Sequence, residues 1–178
     1  MQRTLKYIIL GSMFAGYSAF VLMVGDLLAY KYKSPIAGYL EGWLSIIIQI
    51  VAVFVLVKYY SRKTSNYQQS NIKIFFVGMA VTIIYSLTWS LTSFIYIQYF
   101  YPNYETEMIS YLYHPSPFAT AAETSGLYLM AQISANAYTN SFFKLITGLF
   151  IGIIFSTVNV FLNNRRNKIY RNLTSHSS

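Results

Sequence analysis

Three ionisable side chains stand inside or at the edge of long apolar segments, where a charge can do chemistry. They are Asp26, Glu41 and Lys144. A charge in lipid is costly, so such a residue usually pairs with an opposite charge or faces water, and many mark functional sites. We treat the three as a candidate cluster that binds a proton or a ligand. The alternative is a structural ion pair, or side chains that extend to the lipid headgroups.

A stripe of hydroxyl groups is the second candidate. Thr82, Ser86, Ser90 and Ser93 recur three or four residues apart within one apolar segment. This spacing puts them near one face of a helix. The stripe predicts either a polar path for a solute or hydroxyls that bond to their own backbone or join neighbouring helices.

Small residues at four-residue spacing form a third pattern. They are Gly11, Ala15, Gly16, Gly148, Gly152 and Ser156. Small side chains leave a groove in which another helix can approach closely. The pattern predicts a packing face, used either inside the chain's own helical bundle or between two copies of the chain.

Catalytic, cofactor and metal chemistry are not indicated. The sequence has no cysteine, which excludes disulfides, thiol catalysis and cysteine-ligated metals. His114 and His176 are too far apart for the usual spacing of metal ligands. Phosphate-loop, dinucleotide, metalloprotease and nucleophile-elbow motifs do not occur. We therefore expect a non-enzymatic protein without a cofactor or a metal ion.

The composition shows which elements must position these residues. Of 178 residues, 55% are hydrophobic and 10% are charged, whereas soluble domains carry about 25% charged residues. Apolar runs cover about 7–30, 39–57, 74–99 and 142–162. About 20 helical residues cross the hydrocarbon layer. The sequence predicts one all-α membrane domain over residues 1–178, folded as a four-helix bundle in the lipid bilayer.

The basic residues predict the orientation of this bundle. Most of the 13 Lys and Arg residues precede the first run, lie between the second and third, or follow the fourth. These are Arg3, Lys6, Lys58, Arg62, Lys63, Lys73, Arg165, Arg166, Lys168 and Arg171. The positive-inside rule then places both termini, including the tail 163–178, in the cytoplasm. It also accounts for the net charge of +8 without a nucleic-acid partner.

The long segment 100–141 between the third and fourth runs is predicted to lie outside and to be partly helical. Pro102 should end the third helix. Apolar residues at helical spacing follow from Tyr104 to Leu112, and again from Ala122 to Ala137. We expect a short helical cap that rests on the outer surface of the bundle or the bilayer.

Several segments, in their order along the chain, resemble those of a bacterial membrane family labelled domain of unknown function 4199. They are Lys6-Tyr7 leading into Gly11 and Gly16, Gly38–Leu40 entering Trp43–Ile47, Val57–Arg62, Ile84–Trp89 running through Tyr99-Phe100 to Pro102–Tyr104, and Gly148-Leu149 through Arg165-Arg166. The chain departs from the family in its charge-poor outer loop and its proline-free last helix. The resemblance implies a multi-pass protein of the inner (cytoplasmic) membrane of Gram-negative bacteria. It implies no activity and no catalytic residues.

Two functions follow as hypotheses. The first is an accessory or scaffold protein that acts through helix–helix association, as a homo-oligomer or with another membrane protein. The second is a small transporter or channel subunit that uses the hydroxyl stripe of the third helix.

Overall fold

The computed structural model describes residues 2–31, 37–63, 70–112, 125–126, 128–129, 132–133 and 135–175. Within them the chain is helical and contains no strand, which confirms the all-α prediction. The helices are α1 (Gln2–Lys31), α2 (Ala37–Lys63), α3 (Asn71–Ile95), α4 (Tyr104–Leu112) and α5 (Ala137–Ser175).

Four of these helices are long and apolar enough to cross a membrane. The candidate spans are Gln2–Gly25, Trp43–Arg62, Asn71–Phe100 and Ala137–Arg165. Only helices and closed barrels satisfy every backbone polar group inside lipid, so apolar runs of this length form helices. The described chain therefore has the architecture of a multi-pass membrane protein.

The last helix extends beyond the predicted apolar run at both ends. It begins at Ala137 rather than Phe142 because Asn136 caps it: Asn136 Oδ1 accepts hydrogen bonds from the backbone N–H groups of Tyr138 (3.0 Å) and Thr139 (3.3 Å). It continues to Ser175, through most of the predicted tail, because no glycine or proline follows Gly152. The hydropathy pattern thus indicates the part of a helix that is apolar enough for lipid, whereas capping residues and helix breakers determine where the helix begins and ends.

The third helix ends as its proline predicts. A π-helical turn, Tyr96–Phe100, follows α3, and the chain turns at Pro102 before α4 begins. Tyr104, the first residue of α4, is buried against Met23, Ile97 and Ala137. The Tyr101 hydroxyl donates a hydrogen bond to the Glu107 carboxylate. The first part of the predicted cap is therefore a helix anchored on the bundle.

The spans alternate in direction, and α2 and α3 stand between α1 and α5. α1 packs on α2 and α3, whereas α5 packs on α3 and α2. The rings of Tyr7 and Tyr59 join the start of α1 to the end of α2, 6.2 Å apart. Asn163 Nδ2 donates to Asn71 Oδ1 (3.2 Å) and joins the end of α5 to the start of α3. We call this the basic end, because it carries Lys58, Arg62, Lys73 and Arg165, and we call the end that carries α4 the loop end.

Apolar side chains fill the bundle in three clusters along its length. Buried residues at the basic end are Ile8, Val53, Val57, Ile74 and Val81, and those at mid-length are Ala15, Ala19, Tyr85 and Trp89. The third cluster surrounds Tyr104 at the loop end. Large apolar side chains such as Phe14, Trp43 and Phe150 point outward and are 65–72% exposed. A lipid surround explains this outward apolar face.

Candidate functional site

The α3–α5 interface brings two of the predicted patterns together. Hydroxyl residues of one helix face glycines of the other at three successive levels. We call this set the seam, and its facing pairs are Gly78 with Ser156, Thr82 with Gly152, and Ser86 with Gly148. The pairs run in opposite directions along the two helices, as antiparallel packing requires.

The seam is closed by direct contact. A Cβ at position 152 would overlap the Thr82 side chain, and one at position 148 would overlap that of Ser86. At position 78 a Cβ would lie 2.5 Å from Ser156 Oγ. Only glycine permits this approach of the two backbones, so Gly148, Gly152 and Ser156 are packing residues within the bundle.

Gln49 of α2 enters the seam at its loop-end level. Its Nε2 donates to the Gly148 carbonyl oxygen at 2.6 Å, and the side chain is 1% exposed. A Cβ at position 148 would lie 3.7 Å from Gln49 Oε1. This amide therefore joins α2 to the α3–α5 pair.

Several buried oxygens of this region form no hydrogen bond within the part of the chain that the structure describes. They are Gln49 Oε1, Thr82 Oγ1, Ser86 Oγ and Ser156 Oγ. Buried polar groups normally have a partner. These oxygens make the seam a row of polar groups inside an apolar bundle.

The other members of the hydroxyl stripe have protein partners. Ser90 Oγ donates to the Ser141 carbonyl oxygen of α5 at 2.7 Å. Ser93 Oγ donates to the Trp89 carbonyl oxygen of its own helix at 2.7 Å. The predicted stripe thus divides into hydroxyls packed against glycine and hydroxyls that bond to a backbone.

Lys144 lies above the seam toward the loop end and bridges three helices. Its Nζ lies 2.7 Å from Met23 Sδ of α1 and donates to Ser93 Oγ of α3 at 3.3 Å. The same atom lies 5.3 Å from the centre of the Trp89 ring. A cation over an aromatic face is stabilised by the ring's quadrupole, and more strongly where water is excluded.

The side chains of Asp26 and Glu41 lie outside the described part of the structure. The backbone of Asp26 follows Met23 by one turn of α1, and Met23 contacts Lys144. An ion pair between Asp26 and Lys144 thus stays a prediction, as does the whole outer cluster with Glu41. Among the described residues no three His, Cys, Asp or Glu side chains group as metal ligands.

The small residues of α1 pack on α2 and α3. A Cβ at position 11 would lie 2.9 Å from Leu56 Cδ2 of α2. At position 16 it would lie 2.8 Å from the carbonyl oxygen of Tyr85 on α3. Ala15 is buried in the mid-length cluster. Both groups of predicted small residues therefore contact helices of the same chain: those of α1 contact α2 and α3, and those of α5 contact α3.

Two polar residues of the core, Tyr85 and Trp89, were not among the predicted site residues. The Tyr85 hydroxyl donates to the Ser45 carbonyl oxygen of α2 at 2.7 Å, and Trp89 provides the ring beneath Lys144. A tyrosine or a tryptophan at mid-span carries a polar group that needs a partner, and this is the signal that could have found them.

Comparison with known proteins adds no family to this geometry. No family model, no curated protein and no solved structure matches the chain. The similarity to domain of unknown function 4199 therefore stays an expectation from the sequence.

Proposed function

We propose that the protein is a non-enzymatic accessory or scaffold of a bacterial inner membrane, with both termini in the cytoplasm, that acts through helix–helix association. The outer face of α5 carries this proposal. Only 22% of its spanning window is buried inside the chain, against 44% for α3. α5 is thus the span with most of its surface left for another molecule.

This surface has a regular aromatic pattern. Phe143, Phe150, Ile154 and Phe161 are exposed and recur seven, four and seven residues apart, so they line one face of the helix. We call them the aromatic face. Helices in lipid associate through van der Waals packing and hydrogen bonds. Because the small residues of the chain pack inside the bundle, the large rings are the groups left to contact a partner helix.

Site-specific photo-cross-linking in native membranes tests this proposal. A photoreactive phenylalanine analogue at position 150 should form an adduct with one defined protein, either a second copy or another membrane protein. The same analogue at position 14, equally apolar and 72% exposed on α1, is the matched control. Equal protein adducts at both positions, or lipid adducts alone at position 150, would refute a partner on the aromatic face.

The orientation rests on the basic residues and has its own test. Because the chain has no cysteine, single cysteines can be introduced without background. In intact spheroplasts an impermeant maleimide should label Asn103→Cys and leave Asn164→Cys unlabelled until the membrane is opened. Both positions are exposed in the structure. Labelling of Asn164→Cys in closed spheroplasts would reverse the orientation.

A transporter or channel subunit is the second candidate function. The buried oxygens of the seam and of Gln49 favour it, since a polar solute or a proton needs such groups to cross lipid. Proteoliposomes containing the protein should then leak protons or small cations faster than empty vesicles, and Ser86→Ala should reduce that leak. Equal leak rates with and without the protein would remove this candidate.

A further inference from the structure

A cleft of about 380 Å³ opens between α2 and α5 at the basic end of the bundle. Its walls come from one stretch of α2 and one of α5, and Ile74 of α3 contributes to its lining. The lining residues are Phe54, Val55, Val57, Lys58, Ser61, Ile74, Asn159, Leu162 and Asn163. Sites that hold small molecules have volumes of about 300–1,000 Å³, so the cleft is large enough for a ligand.

The lining changes from apolar to polar along the helix axes. α2 and α5 both run toward the basic end, so Phe54 and Val55 lie deepest, and Ser61 and Asn163 lie about two turns nearer the membrane surface. Val57 and Ile74 are buried, whereas Lys58 is exposed. The α2 wall of the cleft is therefore apolar at depth and polar at its mouth, as an amphiphile is. The α5 wall adds Leu162 beside Asn163 at the mouth, and Asn159 about one turn deeper, with its amide donating to the Phe155 carbonyl oxygen of its own helix.

The charge around the cleft has one sign. Residues 42–104 and 124–178, which include the spans of α2, α3 and α5, contain no Asp or Glu. Lys58 lines the cleft, and the exposed side chains of Arg62 and Arg165 follow on the same two helices. Glu41, the nearest acidic residue before Lys58, lies ~25 Å away along α2 by helix rise. The basic side chains at the mouth thus attract an anion, and these stretches of sequence contain no carboxylate that could pair with them instead.

We propose that this cleft binds one anionic phospholipid. The phosphate lies against Lys58, with the hydroxyl of Ser61 beside it, and one acyl chain follows Phe54, Val55 and Leu162 toward the membrane interior. Basic pockets between spanning helices are known to hold lipid headgroups. The proposal goes beyond the accessory function and does not depend on the aromatic face, which lies elsewhere on α5. It needs only that the four helices span a bilayer.

Lipid-dependent thermal unfolding in detergent tests the headgroup contact. Added phosphatidylglycerol should raise the unfolding temperature more than phosphatidylcholine with the same acyl chains, and inorganic phosphate alone should not raise it. Lys58→Gln should weaken phosphatidylglycerol binding about fivefold, the factor that corresponds to ~1 kcal/mol per basic residue near an anionic headgroup.

Two control variants make that result specific. Lys6→Gln removes the same charge at the same end of the bundle, on α1, and should bind phosphatidylglycerol as the native chain does. Lys58→Arg keeps the charge and should retain most of the binding. Equal responses to the two lipids, or equal losses in Lys58→Gln and Lys6→Gln, would overturn the proposal. A full effect of inorganic phosphate would show an anion site without a lipid, and would also overturn it.

A second pair of variants tests the acyl-chain path. Val55→Trp places an indole in the cleft and should lower lipid binding several-fold for both lipids. Val51→Trp makes the same change one turn deeper on α2, outside the lining, where the native side chain is also about half exposed (52% against 56%). Unchanged binding in Val55→Trp, or the same loss in both variants, would mean that no acyl chain occupies the cleft.

Discussion

The two flanks of the bundle hold their outer helices by different means. On the α5 side, Thr82 and Ser86 pack directly onto Gly152 and Gly148, and their hydroxyls form no hydrogen bond within the described part of the chain. On the α1 side, the hydroxyls of Ser12 and Thr88 each donate to a carbonyl oxygen four residues earlier, at 2.7 and 2.8 Å.

The seam on the α5 side is close-packed, whereas the packing at Gly11 on the α1 side can adapt. The groove at Gly11 on α1 is filled by the branched end of Leu56, a side chain that can shift. The seam on α5 brings backbone and short side chains together, which have few ways to move. Substitutions in the seam should therefore have larger effects than substitution of Gly11. Gly16 of α1 is close-packed as the seam is, since a Cβ there would lie 2.8 Å from the carbonyl oxygen of Tyr85. The buried oxygens of Thr82, Ser86 and Ser156, which have no partner in the described chain, lie on the α5 side.

Gly152→Ala should have the largest effect. The new Cβ would overlap the Cβ, Cγ2 and Oγ1 atoms of Thr82, and overpacking of this kind costs about 1–3 kcal/mol in the free energy of unfolding. Gly25→Ala on α1 is the matched control, because its Cβ would meet no atom of the described part of the chain within 4 Å outside its own stretch of helix. The measurement is equilibrium unfolding in mixed micelles.

Thr82→Gly should restore part of the stability of Gly152→Ala, since it removes the side-chain atoms of the facing helix that the new Cβ would overlap. If Gly152→Ala and Gly25→Ala unfold alike, the close approach at the seam is not what holds α5.

Lys144→Met should have an intermediate effect, because Lys144 of α5 contacts Met23 of α1 and so connects the two flanks. The change removes the cation over Trp89, an interaction of about 0.5–2 kcal/mol. In a double-mutant cycle, Trp89→Leu should cost less in the Lys144→Met background than in the native chain. The exposed Lys168 of the same helix provides a control as Lys168→Met. Strictly additive costs would show that the ammonium and the ring do not interact.

Ser86→Ala should have the smallest effect. Its hydroxyl is buried without a hydrogen-bond partner in the described chain. Its removal should therefore change the free energy of unfolding by less than about 0.5 kcal/mol, and the change can be a small gain in stability. Its neighbour gives the contrast: Tyr85→Phe loses the bond to Ser45 and should cost ~0.6 kcal/mol, the average for such bonds between membrane helices. A loss above 1 kcal/mol for Ser86→Ala would reveal a bound water or solute in the seam and would favour the transport candidate.

Part of the candidate site was visible in the sequence. The spacing of Thr82 and Ser86, and that of Gly148 and Gly152, singled out both halves of the seam as helical faces. The contact between the hydroxyl face of α3 and the glycine face of α5 was not predictable, because a spacing defines a face of a helix but not the helix that this face contacts. Met23 and Trp89, which contact Lys144, belong to none of the three predicted site patterns, and only their position in the fold makes them part of its environment.

The sequence by itself determined the number and length of the spans, because crossing lipid as a helix depends on apolarity and length, and both are properties of one segment. It also determined the clustering of basic residues at one end of the spans. The tertiary structure decided how each helix is rotated and which helix it meets. In a soluble protein the polar outer face of a helix gives that rotation, but the outward side of α5 carries large apolar side chains such as Phe143, Phe150 and Phe161, so no polar outer face marks it. The rotation is therefore set by where Gly152 can accept Thr82 and where Gln49 can reach the Gly148 carbonyl oxygen, and those contacts exist only after the helices have packed.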